Sequence, residues 1–217
     1  MKAVFPTGDA VRLIILDCDG VLFDSRDANV AFYDSVLDEL GVEPLDAIGR
    51  DLCHRLSGPQ LWDHLFATNA ELHARARKVA SRADYEPFYP LMRPVLDLES
   101  TLAHLSSHCP LALATNRGRT VEGVARHFRL DRFVTIRLGI LDVERPKPAP
   151  DLLLACLARA RIPAEAAVFV GDTLVDRDAA LAAQVAYVGV GPESGAERTI
   201  EGLRALPDLL ELSRKTL

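Results

Sequence analysis

Continuous apolar runs recur along this chain at 12–16 (RLIIL), 110–115 (PLALAT), 166–171 (AAVFVG) and 185–190 (VAYVGV), with a weaker fifth at 133–138 (FVTIRL). A strand with one wet face would alternate apolar and polar residues. Continuous apolarity instead predicts strands buried on both faces, the state of strands in a parallel sheet. Helix-patterned segments at about 92–107, 119–129, 149–161, 176–184 and 207–215 separate or follow the later runs. Strands alternating with helices predict a doubly wound α/β core. At 217 residues the chain is long enough for such a core, and folding at this mass buries about 70% of the extended-chain surface.

The gap between the first two runs breaks the alternation. From Ser25 to Pro90 the pattern is helical, as in "DANVAFYDSVLDELG", closed by Gly41, and "NAELHARARKVASRA". Glycine just past a helical pattern is a C-terminal stop signal. "PFYPLMRP" then marks the return with three prolines. The expected organisation is an α/β core from 1–24 and 91–217, with a separate helical unit from 25–90. Ser57-Gly58-Pro59 interrupts the helical pattern and predicts a loop inside that unit.

Ligands of open α/β sheets bind beyond the carboxyl ends of the strands, so the residues there decide the chemistry. The first run ends in Asp17-Cys18-Asp19-Gly20, the second in Thr115-Asn116-Arg117, and the run at 166–171 in Gly171-Asp172-Thr173 with Asp176 beyond. Lys147 sits between two prolines in "ERPKPAPD". Any one of these has a plain structural reading: a turn, a helix cap or a solvated lysine. Together they place acids, a hydroxyl and a lysine along one edge, and so much converging charge calls for a metal and an anion.

The residue types then suggest roles. Asp17 and Asp172, with a backbone carbonyl of the first loop at Asp19, offer hard oxygen ligands suited to Mg²⁺. A carboxylate at that position is also a nucleophile for a phosphoryl group. Lys147 and the Thr115 hydroxyl are placed to hold phosphate oxygens. Asp19, two residues beyond Asp17, is placed to protonate a leaving oxygen and later to activate water.

These motifs resemble those of the haloacid dehalogenase (HAD) superfamily, in its phosphatase branch, over nearly the whole chain. Asp17-Cys18-Asp19-Gly20-Val21 is similar to the first motif, Thr115-Asn116 to the second, Lys147 in "RPKPAPD" to the third and "GDTLVD" to the fourth. The resemblance implies a Rossmann-like core with an inserted helical cap domain, Asp17 as nucleophile, Asp19 as acid/base, Asp172 as a metal ligand and Asp176 as an outer carboxylate of the metal site. Asn116 joins Thr115 and Lys147 as a candidate phosphate contact. The loop around Ser57 resembles the specificity loop of such caps, with His54, Arg55, Ser57 and Gln60 as candidate substrate contacts. Val21 departs from the pattern, since many relatives carry Thr there. The expected activity is Mg²⁺-dependent hydrolysis of a small phosphorylated metabolite, most like that of the phosphoglycolate phosphatases. A β-phosphoglucomutase-type mutase and a non-catalytic phospho-receiver module remain alternatives.

Other classes find less support. Net charge is −6 with no dense basic cluster, which argues against nucleic acid. The four cysteines are widely spaced, with no CxxC pair, and fit free thiols in a reducing cytoplasm. "MKAVFPTGDAVR" lacks the apolar stretch of a signal peptide and no apolar run approaches membrane-spanning length, so a cytoplasmic monomer or homodimer without membrane association is expected. Cys18 lacks the neighbouring Arg and short loop of a cysteine phosphatase. The pairs Cys53-His54 and His104/His108 lack further ligands at zinc spacing.

Overall fold

The structure, a computed structural model, describes residues 5–212, apart from the side chains of His54 and Arg55. In chain order the regular elements are β1 (Leu13–Leu16), β2 (Phe23–Asp24), α1 (Arg26–Leu40), α2 (Ala47–Arg55), α3 (Gly58–Leu65), α4 (Ala70–Arg82), β3 (Arg93–Pro94), α5 (Leu98–His108), β4 (Leu111–Ala114), α6 (Val121–His127), β5 (Val134–Leu138), α7 (Asp151–Ala160), β6 (Ala167–Gly171), α8 (Leu174–Ala183), β7 (Ala186–Val190), β8 (Thr199–Ile200) and α9 (Leu206–Leu209).

Every apolar run forms a strand within one residue of its expected ends. The strands assemble as β5-β4-β1-β6-β7-β8, each neighbour parallel to the next. Chain order reverses at β1, with β4 on one side and β6 on the other, which is the switch point of a doubly wound, Rossmann-like sheet. The three central strands β1, β4 and β6 are buried at every position. β5 and β7, further out, are only partly covered. β5 is the weaker run, but β7 is as apolar as the central strands and still only partly covered, so its continuous apolarity overstates its burial. One face packs Leu13, Ile15, Ala112, Leu138 and Phe169 against Leu152, Leu153 and Cys156 of α7 and Ala179, Ala180 and Ala183 of α8. Each large side chain so buried contributes about 1.5–3 kcal/mol.

The chain divides into two compact units: Met1–Phe23 with Pro94–Leu217, and Asp24–Arg93. The second holds α1 to α4 around Tyr33, Val36, Leu37, Leu61, Trp62, Phe66 and Val79. α1 ends where expected, with Gly41 left-handed at φ 69° and its N–H bonded to the carbonyls of Leu37 and Asp38.

Several boundaries differ from the sequence reading; the last helix, expected at 207–215, is only Leu206–Leu209, and 213–215 lie outside the described residues. Ser57-Gly58-Pro59 is not a loop. Ser57 is the N-cap of α3, and Gly58 and Pro59 form its first turn, where proline's missing N–H costs nothing. α5 begins at Leu98 rather than 92 because Arg93 and Pro94 form β3 and the Val95 N–H bonds the Leu22 carbonyl. α8 begins two residues early, capped by Thr173. The two-residue β8, the end of "ERTI", carries too little periodicity to be read in advance.

Candidate active site

β1 ends by handing its last ladder position to Asp17, whose N–H bonds Val170 O on β6 at 2.9 Å. The chain then turns sharply. Leu22 and Phe23 both donate to the Cys18 carbonyl, and Gly20, at φ +77°, donates to Phe23 O. Gly20 is required twice over. Its φ lies in the left-handed region, and a Cβ there would stand 1.9 Å from Asp172 Oδ2. Asp172 follows β6, and Thr173 caps α8 in a capping box with Asp176: the Thr173 N–H and hydroxyl both donate to Asp176 Oδ2, at 3.1 and 2.6 Å.

Lys147 reaches this edge from the loop before α7 and is 2% exposed. Its Nζ lies 2.6 Å from Asp176 Oδ1 and 2.9 Å from Asp17 Oδ1 and donates to Ala114 O at 3.0 Å. Asn116 holds it there. The Lys147 N–H donates to Asn116 Oδ1 at 3.0 Å, and Asn116 Nδ2 donates back to the Lys147 carbonyl at 3.1 Å. The Asn116 amide, a candidate phosphate contact, thus has its oxygen and one N–H committed to placing Lys147.

Three carboxylates converge: one oxygen each from Asp17, Asp172 and Asp176 lies within 4.8 Å of the others. Burial, reinforced by Asp176 and Asp19 and opposed by Lys147, raises the Asp17 carboxyl to about 7. Asp172 rises to about 8, first through burial and then through the charges of Asp17 and Asp176. Burial opposes the Lys147 charge, but Asp17 and Asp176 outweigh it and hold the ammonium protonated. Asp17 Oδ1 is buried and, although close to Lys147, accepts no aligned hydrogen bond. A hard divalent cation fits this donor set. It matches all-oxygen ligands and relieves the mutual repulsion of the three carboxylates.

Asp19 stands outside that trio. Its carboxylate is gripped from both oxygens by Arg117, Nε to Oδ2 at 2.8 Å and Nη2 to Oδ1 at 2.6 Å. Thr115 is 1% exposed, and its Oγ1 accepts the Arg117 N–H at 3.2 Å. Cys18 is fully buried, and burial followed by the Asp19 charge pushes its thiol up, far from a thiolate. In the helical unit Gln60 Oε1 accepts from the Ser57 N–H and hydroxyl at 2.9 and 2.8 Å, completing the cap of α3. Arg55 and His54 lie outside the described side chains.

Two residues escaped the sequence reading. Arg117 was visible beyond the second run, but nothing around it in the sequence pointed to Asp19, which lies 98 residues away. Tyr187, whose hydroxyl donates to Thr173 O at 3.2 Å, left no signal in a strand that read as purely apolar.

Comparison with known proteins adds three findings. The family model described as "haloacid dehalogenase-like hydrolase" matches residues 14–190. Among curated proteins, the tyrosine-protein kinase PtkA of Mycobacterium tuberculosis is 30% identical over 85% of this chain; the match spans 63% of that longer protein. A phosphoglycolate phosphatase of Pseudomonas savastanoi pv. phaseolicola is 28% identical over 97% of this chain and 84% of its own. Among solved structures, a HAD-superfamily hydrolase of subfamily IA, variant 1, from Geobacter sulfurreducens is 33% identical, with TM-score 0.75, over 95% of this chain and all of its own.

Proposed function

The chain belongs to the haloacid dehalogenase-like hydrolases, and from that premise we propose that it is a Mg²⁺-dependent phosphatase of a small phosphorylated metabolite, working through a phospho-Asp17 intermediate. The observation that carries this reading is the pairing of Asp17 with Lys147 beside Asp172 and Asp176 at the carboxyl edge of the sheet. Asp17 is aimed by the end of β1 and sits at a point of concentrated charge, with its Oδ1 2.9 Å from Lys147 Nζ.

Asp17, Asp172 and the Asp19 carbonyl would hold the metal, with Asp176 behind them. The bound cation would neutralise charge on the transferring phosphoryl group. Lys147, fixed by Asn116 and kept protonated by its two carboxylates, binds phosphate oxygens alongside the Thr115 hydroxyl. Asp17 attacks phosphorus. Asp19 protonates the departing oxygen and then takes a proton from the water that hydrolyses phospho-Asp17. The helical unit, in the part of a cap domain, selects the substrate. The likeness to phosphoglycolate phosphatases points to small acids bearing phosphate.

A second reading comes from the mycobacterial relatives described as tyrosine kinases, in which a tyrosine in place of water would receive the phosphoryl group. One panel separates the two. Purified protein is incubated with phosphoglycolate and other small phosphate esters, with Mg²⁺ and with EDTA, and with ATP plus a tyrosine peptide. Phosphate release from one or a few esters, lost in EDTA, is the expected result. Label transfer to peptide without ester hydrolysis would replace the phosphatase reading. Full turnover in chelator would remove the metal from it.

A further inference from the structure

Asp19 is gripped at both oxygens by one guanidinium, and that guanidinium is itself fixed in place. The Arg117 side chain is 6% exposed. Its backbone is pinned on two sides: its N–H donates to Thr115 Oγ1 at 3.2 Å, and its carbonyl accepts the Ile140 N–H at 2.9 Å. Gly139 permits that close approach, since a Cβ there would lie 2.4 Å from the Arg117 carbonyl oxygen. A third anchor is Thr120 Oγ1, which accepts from Arg117 Nη1 at 3.4 Å. The planar fork of a guanidinium matches a carboxylate in a way an ammonium cannot.

We infer that Arg117 is a positioning residue for Asp19. It fixes where the Asp19 carboxylate sits and how it is turned, and it links that orientation to the Thr115 loop on β4. Resting on the proposed phosphatase chemistry, the inference assigns Arg117 no contact with substrate. Its effect passes entirely through Asp19. A freely rotating Asp19 would spend little time within proton-transfer distance of a leaving oxygen, and a misplaced catalytic group loses much of its effect.

The test is a double-mutant cycle on an alkyl phosphate, with Asp19→Asn, Arg117→Met and the double variant. Asp19→Asn is expected to lower kcat by about 10²–10⁴-fold. Arg117→Met is expected to lower kcat by roughly tenfold or more and leave KM within about twofold, because the guanidinium positions an acid without binding substrate. The double variant should be no slower than Asp19→Asn alone within about threefold, since residues acting through one another are strongly non-additive. Should the loss of a buried cation prevent Arg117→Met from folding, Arg117→Lys carries the same cycle. One ammonium cannot span both oxygens.

Additive losses, or a raised KM with kcat intact, would overturn the inference and leave the phosphatase reading standing. An Asp19→Asn variant as fast as wild type would overturn both the inference and the proposed role of Asp19.

Discussion

At the scale of single residues, different cationic partners separate Asp17 from Asp19 although only Cys18 lies between them in sequence. Asp17 faces Lys147, and Asp19 faces Arg117. Different cations, from the loop before α7 and the loop after β4, let two acids two residues apart hold different jobs. The two jobs proposed for Asp19 can be told apart by the leaving group. An alkoxide needs a proton to depart, whereas a nitrophenolate does not, so general acid help worth roughly 10²–10⁴-fold applies only to the former. On nitrophenyl phosphate, Asp19→Asn should therefore show a burst of about one nitrophenol per site, then stall for want of a base to activate water. On an alkyl phosphate the same variant should be slow from the first turnover. Rapid-mixing kinetics reads both. Equal slowing of the two substrates, without a burst, would reduce Asp19 to shaping the turn.

At the scale of elements, helix caps serve as parts of the site. Asp176 is at once the third residue of α8, where it closes the capping box, and the acceptor for Lys147. Its motif, Thr-x-x-Asp, was legible in the sequence, as were the strand ends that carry Asp17, Asp172 and Thr115, because position after a strand is a one-dimensional property. Pairing across loops was not. Nothing in "TNRGR" announces that Asn116 holds Lys147 and Arg117 holds Asp19, since both partners lie far along the chain. The same limit made Ser57-Gly58-Pro59 read as a loop when it opens α3. There Gln60 closes a capping box onto Ser57. Gln60→Ala removes the acceptor for the Ser57 N–H and hydroxyl and should cost the helical unit roughly 1 kcal/mol. Gln60→Glu, which keeps an acceptor at that position, should recover most of it. Urea melts of the three proteins measure the difference. An unchanged midpoint for Gln60→Ala would mean the box contributes nothing to stability.

At the scale of the whole molecule, the parallel sheet was legible because three central strands are apolar on both faces, and the insert because its sixty-odd residues never alternate. The acidic edge has a further global consequence. The ordinary carboxylate pKa is about 3.9, but Asp17 stands at about 7 and Asp172 at about 8 in the folded chain. Between those values the native state holds more protons than the unfolded one, so the stability these groups contribute is full below about pH 4 and fades as pH rises through 7 to 8. A divalent cation needs the same carboxylates deprotonated. The rise in Tm produced by Mg²⁺ should thus be small near pH 5, grow from pH 6 to 8, and vanish in Asp172→Asn. Thermal melts with and without Mg²⁺ across that range check it. A gain that does not change with pH, or that survives Asp172→Asn, would place the cation elsewhere.

The phospho-Asp17 intermediate has one direct measurement. The enzyme is mixed with a phosphate ester labelled in the phosphoryl group, quenched in acid within a single turnover, and reduced with borohydride, which converts an aspartyl phosphate to homoserine. Peptide mass spectrometry then locates the change. Label on the acid-quenched protein, homoserine at position 17 after reduction, and neither in Asp17→Asn, is the predicted result. Turnover with no labelled protein at any quench time, or label at a residue other than Asp17, would contradict it.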